Sequence, residues 1–488
     1  MGISQIALPN GLASTEPRVV LRSCTEARQA LYAKYADRIE VNRDLDRSLV
    51  SFQANKAEPF YAWFKYKEGF SSRLVDYLLE RLAPEPGILL DPFAGAGAAL
   101  FAARDIGWDA IGIELLPVGF RSMVARQAAE RVRSDVLVKE IKKIAGVNFA
   151  QCAKADYAFR HIAITAGAFP PATERQLAGF RAYCESEVRD PDVRNLMEFA
   201  CFCVLEEVSY TRKDGQYLRW DHRCPRTKVA GRFDKGKIQG LPQAILRKLD
   251  AMASDLTDRS RLLAPPSHRK GSIDIRLGSC LEILPEMRAS SVDLVLTSPP
   301  YCNRYDYTRT YALELAFLGM GEDDVKALRQ EMLSCTVENK DKVQQLRRLY
   351  RRRAKRFEAV QEAYGAQEAI GEVLGSLDVY RRAGALNNPN VPRMVRNYLY
   401  EMAFVVMELA RILRPGGKVV MVNDNVRYAG EEVPVDLILS DFAKRFGLSV
   451  RHIWALPRGK GNSSQQMGAH GRRELRKCVY VWEKPKQR

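Results

Sequence analysis

Apolar residues recur along this chain in two spacings, one typical of strands and one typical of helices. Short apolar or alternating runs bounded by turn residues occupy 87–91, 110–113, 273–277 and 293–297, and each predicts a buried β-strand. Elsewhere apolar residues fall three and four positions apart, as they do on one face of a helix. The alternation of the two patterns predicts an α/β protein with a mainly parallel sheet.

The helical spacing is clear in several segments, and Ser71 or Ser72 is placed to cap the helix that follows. The predicted helices cover 27–39, 74–82, 98–104, 122–145 as one long helix, 196–208, 395–413 and 435–446. Further strands are predicted over 418–425, 450–456 and 477–482.

The strand and helix alternation is interrupted twice, and this divides the chain. Two mainly helical insertions are predicted to separate three pieces of one α/β core. The predicted divisions are an N-terminal extension over 1–45, core pieces over 46–120, 271–320 and 396–488, and insertions over 121–270 and 321–395.

The composition indicates a globular protein that binds a polyanion. Hydrophobic residues make up 46% of the chain, as in an ordinary globular protein, and the apolar run 403–407 is too short to span a membrane. The ten cysteines follow no repeating spacing, which favours reduced thiols and a cytoplasmic location. The net charge of +17 favours a polyanionic partner, and nucleic acid is the simplest one.

A glycine-containing turn follows the first core strand. Gly95 and Gly97 in Asp91-Pro-Phe-Ala-Gly-Ala-Gly97 would let the backbone approach a ligand closely. The three spaced glycines of a dinucleotide site are absent, so a nicotinamide cofactor is disfavoured. Glu114 ends the next predicted strand, 23 residues after Asp91. An acid in this place can accept both hydroxyls of a ribose.

A second turn follows the strand over 293–297, with the sequence Ser298-Pro299-Pro300-Tyr301. Two consecutive prolines fix φ and disfavour helix in the residues before them, so this turn is stiff. It would hold an acceptor oxygen and an aromatic face beyond the carboxyl end of a strand, where α/β sheets bind ligands.

These two motifs resemble those of the amino-methylating DNA methyltransferases, which use S-adenosylmethionine (SAM), and the serine version is most similar to the cytosine-N4 branch. The resemblance implies a Rossmann-like class I methyltransferase fold. It implies catalytic roles for Ser298, Pro299, Pro300 and Tyr301. It implies cofactor binding by Lys67, Phe70, Ser71, Asp91, Pro92, Phe93, Gly95, Gly97, Glu114 and Ser279.

The implied chemistry is direct methyl transfer to an exocyclic amine. Ser298 Oγ and the Pro299 carbonyl would accept hydrogen bonds from the amine and localise its lone pair. Tyr301 would stack on a base flipped out of the duplex. Cytosine-C5 methylation would need a nucleophilic cysteine, normally after proline, and the sequence has no Pro-Cys dipeptide. One position departs from the family, since Gly278-Ser279 stands where Gly-Asp is usual.

Basic residues interleaved with aromatic ones suit phosphate contacts and base stacking, so double-stranded DNA is the predicted partner. Segment 341–360 has a net charge of +6, with Arg348, Arg352 and Lys355 predicted on one helix face, and 450–488 has a net charge of +8. The candidate DNA contacts are Arg212, Tyr217, Arg219, Trp220, Arg304, Tyr305, Arg348, Arg352, Arg458 and Arg472. His222 and Cys224 lack a second ligand pair, so no metal site is predicted.

Three functions remain open at this point. The first is DNA cytosine-N4 methylation, and the second is DNA adenine-N6 methylation. The second stays open because serine rather than an acid at the first position of the motif is a statistical preference of the cytosine-N4 branch, and the flanking pocket decides the base. The third is a nucleic-acid-binding subunit, or an RNA methyltransferase, that keeps a SAM-type fold. The intact motifs disfavour an inactive subunit. The resemblance also implies restriction-modification, with cognate restriction or defence proteins as partners.

Overall fold

The structure is a computed structural model of the 488-residue chain, and it describes residues 25–215, 217–226, 233–258, 270–457 and 475–486. Three of the candidate DNA contacts fall wholly or partly outside these ranges. Arg458 and Arg472 lie outside the described residues, as does the side chain of Tyr217.

The strands form where the sequence has apolar or alternating runs. The strands are β1 (Ile39–Val41), β2 (Ile88–Asp91), β3 (Asp109–Glu114), β4 (Thr211–Asp214), β5 (Tyr217–Trp220), β6 (Ile273–Leu277), β7 (Val292–Thr297), β8 (Leu413–Asp424), β9 (Val426–Tyr428), β10 (Glu431–Val433), β11 (Ser449–Ala455) and β12 (Lys477–Glu483).

An eight-stranded sheet in the described residues has the order β1-β11-β12-β8-β7-β2-β3-β6. Strand β12 is antiparallel to both neighbours, and the other neighbouring pairs are parallel. This confirms the predicted α/β class with a Rossmann-like, mainly parallel sheet. The edge strand β1 lies inside the segment predicted as an N-terminal extension. Two hairpins, β4–β5 and β9–β10, stand apart from this sheet.

Helices connect the strands. The helices are α1 (Glu26–Tyr35), α2 (Ser72–Leu82), α3 (Ala98–Asp105), α4 (Pro117–Arg131), α5 (Ser134–Ile144), α6 (Pro171–Glu187), α7 (Pro191–Val208), α8 (Leu241–Thr257), α9 (Cys280–Ile283), α10 (Tyr307–Thr310), α11 (Ala312–Phe317), α12 (Glu322–Glu331), α13 (Val343–Leu349), α14 (Ala354–Gly365), α15 (Glu368–Arg382), α16 (Val391–Ile412) and α17 (Val435–Arg445). None of the described helices is long and apolar enough to cross a membrane.

The single long helix predicted over 122–145 is wrong. The helix ends at Arg131, and a new one begins at Ser134. Val132 and Arg133 both have extended backbone, with φ of −78° and ψ of 131°. The side chain of Val132 is 2% exposed, so the break buries it in the core of the first insertion. Because the residue at the break is itself apolar and buried, the spacing of apolar residues does not reveal that the helix ends there.

The helix face predicted to carry Arg348, Arg352 and Lys355 is also wrong. Helix α13 ends at Leu349, a 3₁₀ turn spans Arg351–Arg353, and α14 begins after it. Tyr350 sits at the break, and its hydroxyl donates to Glu408 Oε1 at 3.0 Å in the core. Because this buried bond holds the bend, the three basic residues lie on different elements, although all three remain exposed.

Residues that alternate along the strands pack into two layers. Leu89 and Leu294 pack with helices α2 and α3 on one face of the sheet. Their neighbours Leu90 and Val295 pack on the other face with α16 and α17. Helices α4 to α8 of the first insertion build a separate apolar cluster that also includes α10 and α11.

The strand order reverses next to β2. The chain passes from β2 outward to β3 and β6, and then returns to the other side of β2 with β7 and β8. The connections after β2 and β7 therefore leave in opposite directions. In open α/β sheets, ligands bind in the crevice that this arrangement leaves at the carboxyl ends of the strands.

Candidate active site

A cavity opens at this reversal, beyond the carboxyl ends of β2, β3, β6 and β7. It contains about 1190 Å³ of empty space, including its open mouth. The structure brings most of the predicted site residues together here. The predicted residues that line the cavity are Phe70, Asp91, Pro92, Phe93, Gly95, Glu114, Ser279, Ser298 and Pro300.

Asp91 ends β2 and joins it to the next strand in the sheet. Its Oδ1 accepts hydrogen bonds from the Thr297 hydroxyl at 2.6 Å and from the Phe93 backbone N–H at 3.0 Å. Burial raises the pKa of the Asp91 carboxyl to about 7, against these two bonds, which lower it. Because Thr297 precedes the Ser298 turn, this contact fixes the two turns relative to each other.

Glu114 organises the glycine turn. Its Oε2 accepts from the Gly95 N–H at 2.6 Å, and its Oε1 accepts from the Leu116 N–H at 2.6 Å. Burial raises the pKa of the Glu114 carboxyl to about 8. Gly95 and Gly97 have φ of +54° and +82°, a backbone region that side chains disfavour. The remaining lone pairs of the carboxyl group can accept from a ligand that carries hydroxyls.

The Ser298 turn forms another wall of the cavity. Ser298 and Pro300 line it, and the Ser298 hydroxyl donates to the Tyr301 hydroxyl oxygen at 3.4 Å. Burial raises the pKa of Tyr301, so its hydroxyl stays protonated at neutral pH. The turn therefore presents a hydroxyl held by one weak bond, which leaves its lone pairs available to another donor.

Five predicted residues do not line the cavity: Lys67, Ser71, Gly97, Pro299 and Tyr301. Ser71 caps α2, accepting from the Leu74 N–H at 3.2 Å and donating to the Leu49 carbonyl at 2.8 Å. The Lys67 ammonium donates to the Lys213 carbonyl at 2.7 Å, in the first insertion. Both side chains thus support the elements around the cavity.

An aromatic segment over 60–70 closes one side of the cavity. Phe60 has a φ of +65°, unusual for a bulky residue. Asp255 on α8 holds this conformation, since its Oδ2 accepts from the Phe60 N–H at 2.9 Å and from Trp63 Nε1 at 2.7 Å. Sequence reasoning missed Asp255, because a lone acid nearly 200 residues away gives no local pattern to detect.

No family model matches the chain, but several known proteins are similar to it over nearly its whole length. Type II methyltransferase M.AvaI from Nostoc sp. (strain PCC 7120 / SAG 25.82 / UTEX 2576) is 46% identical over 462 residues, 94% of this chain and 93% of that protein. The protein of the same name from Anabaena variabilis gives the same values. Type II methyltransferase M.BsoBI from Geobacillus stearothermophilus is 37% identical over 474 residues, 94% of this chain and 92% of that protein.

The chain belongs to the Type II methyltransferases. The match covers 94% of the chain with each of these relatives, so it includes most of 121–270 and most of 321–395.

The β4–β5 hairpin of the Type II methyltransferase carries four of the candidate DNA contacts, and the structure describes the side chains of Arg212, Arg219 and Trp220. Arg212 and Arg219 are opposite each other on its exposed face, and their guanidinium groups lie 5.5 and 4.3 Å from the centre of the Phe233 ring. Trp220 is half-buried under the Arg226 guanidinium, 5.3 Å away. Like charges on opposite residues disfavour a hairpin, so an anion between them would stabilise this pair.

The same hairpin is held to α11 on its other face. Lys213 lies between Arg212 and Asp214 and points inward, and its ammonium forms a buried ion pair with Glu314 on α11 at 2.5 Å. Its charge also lies 4.4 Å from the centre of the Tyr311 ring. Residues 311–317 come shortly after the Ser298 turn in sequence, so the exposed arginines stand beside the segment that follows this turn.

The remaining candidate DNA contacts lie in two other places. Arg304, with a φ of +65°, donates from Nη1 to Asn387 Oδ1 at 2.9 Å. Tyr305 is half-buried, and its hydroxyl donates to Glu68. Arg348 and Arg352 are exposed on the second insertion. The described candidates therefore lie partly on the hairpin, partly after the Ser298 turn and partly on the second insertion.

One group of side chains in the described residues has the spacing of metal ligands, namely Asp221, His222 and Asp234. Sequence reasoning rejected His222 for lack of partners at ligand spacing. Asp221, however, already accepts from Arg223 Nε and from the Lys235 N–H, each at 2.7 Å. The Arg223 bond holds the pKa of the Asp221 carboxyl well below its usual range. The Asp221 carboxylate therefore stabilises the loop through these hydrogen bonds, and we assign it no metal.

Gly119 on α4 is a further supporting residue that the sequence did not single out. A Cβ added there would lie 2.5 Å from the Gly95 carbonyl oxygen, so α4 and the glycine turn touch through their backbones. Gly119→Ala is expected to lower the free energy of unfolding by about 1–3 kcal/mol through overpacking. Gly375→Ala, in an open and exposed part of α15, is the matched control and should raise it by roughly 0.5–1 kcal/mol. Denaturant unfolding of both variants checks the opposite signs.

Proposed function

We propose that this Type II methyltransferase transfers a methyl group from SAM to the exocyclic N4 of cytosine in double-stranded DNA. One observation carries the proposal: Ser298 lines the same cavity as Asp91 and Glu114. A methyl donor held by the two acids and an amine held by the serine would thus meet in one cavity. The names of the relatives support methyl transfer by this family.

The residues around the cavity fit SAM. Glu114 can accept from ribose hydroxyls, and the glycine turn that it holds lets the cofactor approach the backbone. The Ser279 hydroxyl, 8% exposed on the β6 side, is available to the adenine ring. Phe70 and Phe93 supply apolar walls. When bound, SAM supplies an electrophilic methyl group on a sulfonium.

The catalytic role falls to the Ser298 turn. The lone pair of an exocyclic amine is delocalised into the base, so the amine is a poor nucleophile. Ser298 Oγ and the Pro299 carbonyl would accept hydrogen bonds from its N–H groups and favour the geometry in which the lone pair points at the methyl group. These bonds strengthen as positive charge grows on the nitrogen. Transfer is then direct, with no covalent enzyme intermediate.

The base must leave the duplex to reach the cavity, and Tyr301, which directly follows the cavity-lining Pro300, would stack on it at the cavity's edge. The exposed arginines would hold the backbone on either side. Arg212 and Arg219 form one phosphate-binding pair beside the active-site segment, and Arg348 and Arg352 offer a second contact. The net charge of +17 supports this mode of binding.

The test is methyl transfer from tritiated SAM to unmethylated genomic DNA, followed by digestion to nucleosides and mass spectrometry. The expected product is N4-methylcytosine, with DNA incubated without protein as the control. N6-methyladenine would keep the mechanism and overturn the choice of base. No methylated nucleoside in DNA, but label in RNA treated in parallel, would overturn the choice of nucleic acid.

A further inference from the structure

Glu68 lies on the cavity wall, and each of its carboxylate oxygens accepts from a tyrosine hydroxyl. Oε1 accepts from Tyr305, and Oε2 accepts from Tyr311 at 2.5 Å. Both tyrosines follow the Ser298 turn, within ten residues of Tyr301. Burial raises the pKa of each tyrosine, so both are protonated donors. Glu68 itself belongs to the segment before α2, more than 230 positions away in sequence.

The residues beside Glu68 reach the glycine turn. The ring of Tyr66 stacks on Tyr311 with centroids 5.4 Å apart and planes 9° apart. Tyr66 also touches the glycine turn, since its Cε1 would lie 2.9 Å from a Cβ added to Gly95. The backbone N–H of Lys67 donates to the Tyr311 hydroxyl at 3.3 Å. Contacts therefore run without a gap from Gly95 through Tyr66 and Tyr311 to Glu68 and Tyr305.

This path of contacts runs from Gly95 to Tyr305, and a different ligand is proposed to bind at each of these two ends. Gly95 belongs to the turn that would receive the cofactor, and Tyr305 belongs to the segment that would receive the base. A ligand on the glycine turn that moves Tyr66 must also move Tyr311, because packed rings do not deform continuously. The Glu68 carboxylate fixes how that movement reaches Tyr305, since it holds both hydroxyls at once.

We propose that Glu68 is a positioning residue that couples cofactor binding to DNA binding. The proposal rests on the proposed function, since it assigns SAM to one end of the path and the target base to the other. Glu68 transfers no proton in the reaction. It holds the wall of the base site in the arrangement that an occupied cofactor site favours.

The experiment measures that coupling directly. The dissociation constant of a duplex that contains the site methylated by the wild type is measured by fluorescence anisotropy, with and without saturating S-adenosylhomocysteine. The ratio of the two constants is the coupling factor, and by reciprocity the duplex must tighten cofactor binding equally. A ratio on the order of tenfold is expected for the wild type. Glu68→Ala is expected to lower it to about one.

Two further variants separate coupling from loss of stability. Glu68→Gln keeps one acceptor oxygen and should retain an intermediate ratio. Tyr350→Phe is the matched control, since it also removes a tyrosine-to-glutamate bond, from Tyr350 to Glu408, in the core away from the cavity. It should lower the midpoint of thermal unfolding and leave the ratio at the wild-type value.

The outcomes are distinct. A wild-type ratio near one, or an unchanged ratio in Glu68→Ala, overturns the coupling role. An equal fall of the ratio in Tyr350→Phe would show a general effect of destabilisation and overturn it as well. Failure of the wild type to methylate DNA at all would instead overturn the proposed function, before any ratio is measured.

Discussion

Replacing Ser298 by alanine is expected to lower the kcat of methyl transfer by about 10²–10³-fold, the range found when one preorganised polar group at a reacting centre is removed. Asp91 and Glu114 keep their hydrogen bonds in this variant, so the dissociation constant of SAM should not change. The two prolines after Ser298 keep the turn stiff, and the alanine should leave its shape unaltered. Single-turnover rates and calorimetric SAM binding check the two halves of this prediction.

Ser440→Ala is the control for this variant. Its hydroxyl accepts from Trp482 Nε1 at 3.1 Å, so the change also removes a buried serine hydrogen bond, but on α17 and outside the cavity. Its kcat should equal that of the wild type. A Ser298→Ala enzyme with wild-type kcat, or one that has lost SAM binding in proportion to its activity, would contradict the catalytic role of the serine.

The second large effect concerns the second insertion and is expected in stability. Lys342→Met should lower the free energy of unfolding by about 3–5 kcal/mol, the range for removing one partner of a buried ion pair. The Lys342 ammonium lies 3.0 Å from both carboxylate oxygens of Glu401 on α16 and donates to the Met332 carbonyl at 2.9 Å. The two side chains are 5% and 1% exposed. Met332 also lines the cavity, so the pair joins the insertion to the site.

The free energy of unfolding that Lys342→Met loses should depend on pH. Burial raises the pKa of Glu401 in the folded protein, and Lys342 opposes this rise. Without the lysine, the folded pKa lies further above the unfolded value. A group of that kind favours folding below its unfolded pKa and loses the contribution as pH rises through the folded pKa. The deficit relative to wild type should therefore grow from pH 5 to pH 8.

Denaturant unfolding at the two pH values measures this deficit. Lys340→Met removes the same charge two positions away, from an exposed side chain, and should stay close to wild type at both. Lys342→Met combined with Glu401→Gln should recover part of the loss, because no uncompensated carboxylate remains. Equal effects from the Lys340 and Lys342 changes, or a deficit that shrinks with rising pH, would contradict the assignment.

Much of the fold follows from the sequence because the central strands are local apolar runs. Strands β2, β3 and β7 and helix α2 with its Ser71 cap lie where the pattern predicts them. Strand β1 was not predicted, since it has three residues, one of them the exposed Val41. Its pairing with β11 depends on residues more than 400 positions later, and no local spacing encodes it.

The residues of the candidate site also divide into those that the sequence predicts and those that it does not. Asp91, Glu114 and Ser298 end predicted strands, and parallel strands bring their carboxyl ends to one edge, so their meeting in a cavity could be expected. Glu68 and Asp255 could not be found by this reasoning. Each acts through hydrogen bonds to groups some 190 to 245 positions away, and no local spacing encodes such contacts.

The position of β12 also determines when the eight-stranded sheet can close during synthesis. Strand β12 lies between β8 and β11, and β11 in turn holds β1. Among the described strands, the edge formed by β1 and β11 therefore joins the rest of the sheet through β12, which follows every other strand of that sheet in sequence. The β1–β11 pairing joins residues more than 400 positions apart, and such a pairing closes slowly because the cost in loop entropy comes before the contacts form. The growing chain can assemble the cavity-forming strands β2, β3, β6 and β7 first, and the edge of β1 and β11 joins them only after β12 has been made.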